Sequence, residues 1–309
     1  MDLPTTPEQR SILAEDAELR DHPAVPLTIN AAEPSARHQA ERIVKSGSDC
    51  VLLGDAAQAL TLIPEGVVQT VVTSPPYWSL RDYSAEGQIG LTEPLPLFVK
   101  SLVAVFDEVW RVLAADGTLW VNIGDFYTSG NRGRRAPDRK NPARAMTVRP
   151  PNPEGTKDKD LIGVPWRFAI AMQEAGWWVR SDVIWYKPNC QPESVCDRPT
   201  RSHEHIFLFS KAERYLYDID AVRGPNGRRL RDVWEINTTG FPGAHFATFP
   251  PELVRRCVEI GSRAGDYVLD PFLGSGTTAA VARESGRRFV GCELNQAYLP
   301  LIHDRLSAG

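Results

Sequence analysis

The sequence predicts an α/β fold with a mostly parallel, twisted sheet. Three observations carry that expectation. Short β-branched or apolar runs alternate with longer stretches of helical periodicity. The run 67–72, the helical pattern 96–113 and the run 118–123 form a strand–helix–strand unit, which a parallel sheet accommodates most simply. Towards the C-terminus a strand (267–270), a glycine loop (271–278), a helix (279–285), a strand (288–292) and an acid, Glu293, follow in order. That succession is the nucleoside-binding half of a Rossmann-like sheet.

Length and composition set the frame. A chain of 309 residues buries one large core or two modest ones. No apolar stretch is long enough to span a bilayer, and Met1-Asp2-Leu3-Pro4 does not begin a signal peptide, so a cytoplasmic protein away from membranes is expected. The five cysteines are scattered with no Cys-x-x-Cys pair, which speaks against structural zinc or a disulfide framework. A net charge of −4 does not announce a nucleic-acid partner. Local charge says more.

Residues 1–46 read as an N-terminal extension with helical periodicity over 7–19 and 34–45, a solvated arm against the core or a second subunit. Residues 50–53 form a short strand ending at Gly54-Asp55, ahead of a helix at 56–60. Asp55 is then either a helix cap or a carboxylate facing the crevice at the strand ends. The run 67–72 stops at Thr73, because Pro75 and Pro76 cannot extend a sheet. Ser74, preceding a proline, is pushed to extended geometry. The result is a rigid tip: the Ser74 hydroxyl and the Ser74 and Pro75 carbonyls, with Tyr77 and Trp78 beside them. It is either an ordinary turn or a holder for a flat, uncharged polar group.

A mobile loop is expected over 81–90. In the helix 96–113, Phe98, Leu102, Val105, Phe106, Val109 and Val112 share one face. The segment 126–160 interrupts the pattern; between 131 and 149 it holds seven basic residues, Arg132, Arg134, Arg135, Arg139, Lys140, Arg144 and Arg149, against Asp138 alone. Such a loop is a solvated insertion or a set of phosphate contacts. A helix (164–176), a strand (178–185) and a strand (205–210) follow. The turn 212–215 leads to Leu216-Tyr217, so the last two strands form an antiparallel hairpin at the sheet edge. His203 and His205 share a strand face, but with no third ligand nearby a metal is not expected. A second basic cluster, Arg223, Arg228, Arg229 and Arg231, lies beside Trp234 and Asn237. Pro250-Pro251 opens a helix running to Ile260. In the last unit Gly274 and Gly276 allow close backbone approach to a ligand. Glu293 stands seventeen residues past Gly276, near the spacing at which an acid reaches ribose hydroxyls.

Thr73–Trp78 taken with Asp270–Thr277 resembles the amino-group DNA methyltransferases that use S-adenosyl-L-methionine. Catalytic tip first and cofactor loop last is similar to the circularly permuted order of the β class, and the likeness runs from about Cys50 to the C-terminus. It implies a catalytic domain over 47–309, with a basic insertion at 127–160 and a small target-recognition segment at about 188–244. It further implies that Ser74, Pro75, Pro76 and Tyr77 are catalytic, and that Asp55, Thr73, Asp270, Pro271, Phe272, Gly274, Ser275, Gly276, Thr277 and Glu293 bind the cofactor. The stretch 245–250, with Phe249, resembles the motif that closes over the methionine end. Trp78, Arg132, Arg134, Arg135, Arg223, Arg228, Arg229 and Arg231 are the expected DNA contacts.

In this family the residue before Pro-Pro is typically Ser for cytosine N4 and Asp or Asn for adenine N6. Ser74 therefore favours N4-methylcytosine in double-stranded DNA, with a companion restriction endonuclease as an expected partner and a monomer or homodimer as the assembly. A cytosine-C5 enzyme needs a cysteine nucleophile, and no cysteine here follows a proline. An adenine-N6 enzyme of the same class, an RNA or protein-amide methyltransferase, and a non-enzymatic DNA-binding module stay open as alternatives.

Overall fold

The computed structural model describes residues 26–83, 85–128, 133–134, 146, 148–239 and 249–307. Arg132, Arg135, residues 245–248 and the helix expected at 7–19 lie outside the described residues. In chain order the elements are β1 (Leu27–Asn30), α1 (Ala36–Ser46), β2 (Cys50–Leu53), α2 (Ala56–Leu60), β3 (Val68–Thr73), α3 (Leu95–Val112) and β4 (Leu113–Ile123). Then come α4 (Val164–Glu174), β5 (Trp178–Tyr186), β6 (His203–Ser210), β7 (Val233–Glu235), α5 (Pro251–Gly261), β8 (Tyr267–Asp270), α6 (Thr277–Glu284), β9 (Arg288–Glu293) and α7 (Leu299–Ser307).

Among the described residues these strands form one nine-stranded sheet in the order β1-β2-β9-β8-β3-β4-β6-β5-β7. From β1 to β4 every neighbouring pair is parallel. β6 runs against both β4 and β5, while β7 pairs parallel with β5. Apolar side chains pack on both faces: Leu52, Val71, Leu119, Val121 and Val290 join one buried cluster, Val51, Val72, Trp120, Val268 and Phe289 the other. Burial on two faces is why these strands read as continuous apolar runs and not as alternating ones. The expected face of α3, Phe98 to Val112, is buried throughout.

Three features differ from the sequence expectation. β1, four residues long, lies within the expected extension and pairs with β2; only one of its residues is buried, so it lacks an apolar signature. The antiparallel pairs are β4 with β6 and β6 with β5, inside the β7 edge, and Leu216-Tyr217 adds no strand: Leu216 N donates to the Asp116 carbonyl. The edge is β7, three residues just past the basic cluster, too short to carry a period.

The insertion between β4 and α4 has a closed base. Tyr127 bridges Leu161, Ile162 N donates to Phe126 O, and Thr128 N donates to Asp160 O. Asp125, buried at the end of β4, accepts from the backbone N–H of Phe126, Gly163 and Val164. It thereby caps α4 from across the whole insertion.

Candidate active site

β3 and β8 are adjacent parallel strands, so the Pro-Pro tip and the glycine loop leave the sheet side by side at their carboxyl ends. Hydrogen bonds join them. Asp270, 1% exposed, accepts from Thr73 Oγ1 (2.6 Å), Thr278 Oγ1 (2.8 Å) and Phe272 N (3.0 Å). Thr278 Oγ1 also contacts the Val72 carbonyl at 3.1 Å. Burial pushes the Asp270 carboxyl up to about 6 against these three donors, which pull it down. Beyond Asp270, Gly274 and Gly276 take φ of 55° and 79°, a left-handed geometry that other residues rarely adopt.

Tip and loop share a cavity of about 640 Å³. One stretch of its wall holds Asp55, Phe249, Pro271, Phe272, Gly274, Ser275, Thr277 and Glu293. Glu293 accepts from Gly274 N (2.8 Å) and Asn295 N (2.7 Å), and burial pushes its carboxyl up to about 7. Asp55 does two jobs: its Oδ1 accepts from Gln58 N at 3.0 Å, capping α2, and it lines the cavity. The segment following the tip arches back to this wall, where Asn295 Nδ2 donates to the Tyr83 carbonyl at 3.0 Å.

Ser74, Pro75, Pro76 and Tyr77 line the same cavity. Tyr77 Oη donates to Glu204 Oε2 at 2.7 Å. Asn122 Nδ2 reaches the Tyr77 hydroxyl (3.0 Å), Glu204 Oε2 (2.9 Å) and Ser74 Oγ (3.5 Å). Lys187 Nζ sits 2.5 Å from Glu204 Oε1 and 4.0 Å from the centre of the Trp185 ring. Burial raises the Glu204 carboxyl, but the Lys187 charge and the bonds from Lys187, Tyr77 and Asn122 outweigh it and hold Glu204 below the ordinary range. Burial, then the Glu204 charge, push the Tyr77 phenol well above its ordinary value. Tyr77 is thus a neutral donor with a fixed ring. Gly124 makes room for it: a Cβ there would lie 2.9 Å from Tyr77 Cε2 and 3.2 Å from Glu204 Cδ.

Several expected positions fall elsewhere. Trp78 is not a surface contact but a core residue, 3% exposed, stacked near Phe126 and donating to the Glu93 carbonyl. Thr73, Asp270 and Gly276 lie behind the cavity wall and shape it without lining it. Arg134, Arg223, Arg228, Arg229 and Arg231 are exposed, none of them on the cavity, and Arg223 is paired with Asp220. Three residues of the wall, Asn122, Lys187 and Glu204, carry no signal in the sequence. They converge from β4, the end of β5 and β6, and no local spacing links them.

The sequence model of the DNA methylase family matches residues 68–304. The chain belongs to the N6/N4 DNA methylase family. Relatives include the type II methyltransferases M.XycI of Xanthomonas campestris pv. cyanopsidis, 56% identical over 90% of this chain and 94% of its own length, and M.SmaI of Serratia marcescens, 53% identical over 83% and 90%. Among solved structures, PvuII DNA methyltransferase (cytosine-N4-specific) superposes with a TM-score of 0.63 at 21% identity, covering 84% of this chain and 92% of its own. A putative DNA modification methylase of Thermus thermophilus, complexed with S-adenosyl-L-methionine, gives 0.57 at 29% identity, over 84% and 94%.

Membership makes this DNA methylase an S-adenosyl-L-methionine-dependent enzyme. The residues fit that group. Glu293 offers a carboxylate at ribose-acid spacing on the cavity wall, and the buried Ser275 Oγ has no partner among the described residues. Among those residues no cluster suited to a metal ion occurs, and no helix is long and apolar enough to cross a membrane.

Proposed function

We propose that the enzyme methylates the exocyclic N4 amino group of a cytosine extruded from duplex DNA, within a restriction–modification setting. The observation that carries this reading is Ser74, a neutral hydroxyl at the tip where the family's adenine enzymes typically have Asp or Asn. Extrusion follows from geometry in general: an amino group inside the stack cannot meet a cofactor held in a protein cavity.

S-adenosyl-L-methionine, when bound, supplies an electrophilic methyl group. The chain's own residues supply placement. The Tyr77 ring, its hydroxyl held by Glu204 and Asn122, offers a flat face for the base. The Ser74 hydroxyl and the Pro75 carbonyl accept from the N4 amino group and turn its lone pair toward the methyl. An exocyclic amine of this kind is a weak base, so orientation and neutral acceptors contribute most of the rate enhancement. No strong general base is needed, because the amine turns acidic on methylation. The segment at about 188–244 and the basic insertion share target recognition in this reading. They adjoin at Lys159–Asp197 (2.7 Å) and where Arg198 lies 3.8 Å over the Tyr127 ring.

The test is chemical identification of the product. DNA from a methylation-free host expressing the protein is digested to nucleosides and analysed by mass spectrometry. N4-methylcytosine is the expected product, and N6-methyladenine would overturn the base assignment.

A further inference from the structure

Lys187 and Glu204 form a charged pair, 15% and 18% exposed in their side chains, on the wall of the cavity that takes up an uncharged base in the reading above. Such a pair is costly to desolvate and is weak evidence for stability on its own, so its placement calls for another reason. The hydrogen bonds order the wall. From Ser74 Oγ, an acceptor, the chain of contacts runs through Asn122 Nδ2 (3.5 Å) to the Glu204 carboxylate (2.9 Å) and on to Lys187 Nζ (2.5 Å). One end of the wall accepts; the other donates. An ammonium carries three donors, and among the described residues Lys187 Nζ makes its hydrogen bond with Glu204, lying over Trp185 on another side.

Resting on the cytosine reading above, we infer that Lys187 is a specificity-determining residue whose ammonium donates to the acceptor edge of the target pyrimidine, ring N3 and the O2 carbonyl. Cytosine presents, in order along that edge, an amino donor, a ring acceptor and a carbonyl acceptor. The wall presents the complement, from Ser74 to Lys187. Adenine presents the amino donor and a ring acceptor, then a C–H. An ammonium N–H facing that C–H is left without an acceptor, which rejects the wrong base more strongly than a mere difference of shape does. Glu204 is a positioning residue: it holds the Lys187 ammonium and the Tyr77 hydroxyl on one carboxylate, tying base reading to the stacking ring.

The test compares two duplexes carrying the recognition site of the wild-type enzyme, one with the target cytosine and one abasic at that position, each bound with S-adenosylhomocysteine present. Lys187→Met is expected to weaken binding to the cytosine duplex on the order of 10- to 100-fold relative to the abasic duplex. Because that change strands Glu204 in a buried site, the double variant Lys187→Met with Glu204→Gln is measured alongside, and the same selective loss is expected. Equal effects on both duplexes, in either variant, would overturn the role of Lys187 while leaving the cytosine reading intact. N6-methyladenine as the wild-type product would overturn the cytosine reading and this inference with it.

Discussion

Asp270 and Glu293 end neighbouring strands, and both carboxyls are driven upward by burial, yet they do different work. Asp270 commits its oxygens to Thr73, Thr278 and Phe272 and so joins tip to loop. Asp270→Ala leaves these donors unpaired and is expected to lower stability by about 1–3 kcal/mol, read as a shift in denaturant midpoint, with any loss of cofactor affinity following from that. Glu293 faces the cavity. Its folded value near 7 lies above the ordinary 4.5, so ionising it costs the ligand-free protein, and that part of the stability is lost as pH rises through 7. Ribose hydroxyls prefer the ionised acceptor. Cofactor affinity measured by calorimetry is therefore expected to rise with pH, by up to about tenfold per unit, and to level off above pH 7; affinity flat from pH 5.5 to 8 would contradict the assignment. At Gly124, substitution by Ala forces the Tyr77 ring or Glu204 aside. A fall in turnover with unchanged cofactor affinity is expected, and wild-type turnover would show that the Tyr77 position is not critical.

At the scale of elements, the tip and the glycine loop are legible because each is written in contiguous residues with distinct physics. Two prolines end β3, and two left-handed glycines open the way into α6. That β3 and β8 are hydrogen-bonded neighbours is not visible in either stretch, since Thr73 and Asp270 meet only through the sheet order. Asn122 reads as an ordinary strand residue because its partners, Tyr77 and Glu204, belong to other elements. Lys187 and Glu204 sit in segments that look like a plain turn and a histidine-bearing strand. β1 and β7 escape for a simpler reason: each is short and buries a single residue, so neither carries an apolar run. Trp78 misleads because an aromatic next to a tip looks available, whereas its indole packs into the core and its N–H is taken by Glu93.

For the molecule as a whole, the cavity opens where the parallel strands end, and Arg223, Arg228, Arg229 and Arg231 lie exposed away from it. The net charge of −4 makes local clusters, and not the total, the source of any attraction to phosphate. Replacing Arg228, Arg229 and Arg231 together by Ala is expected to weaken DNA binding across sequences and to flatten its salt dependence by about 0.9 for each phosphate no longer neutralised. An unchanged slope of affinity against salt would remove this cluster from the interface. The claim on which everything else depends is that the Ser-Pro-Pro-Tyr tip works on the reacting amine and not as a grip on DNA. Single-turnover methylation by Ser74→Ala, measured beside its DNA and cofactor affinities, tests it most directly. The rate is expected to fall by roughly 100-fold, as for loss of an oriented acceptor at the reacting atom, with both affinities near wild type; parallel loss of rate and DNA affinity would contradict it.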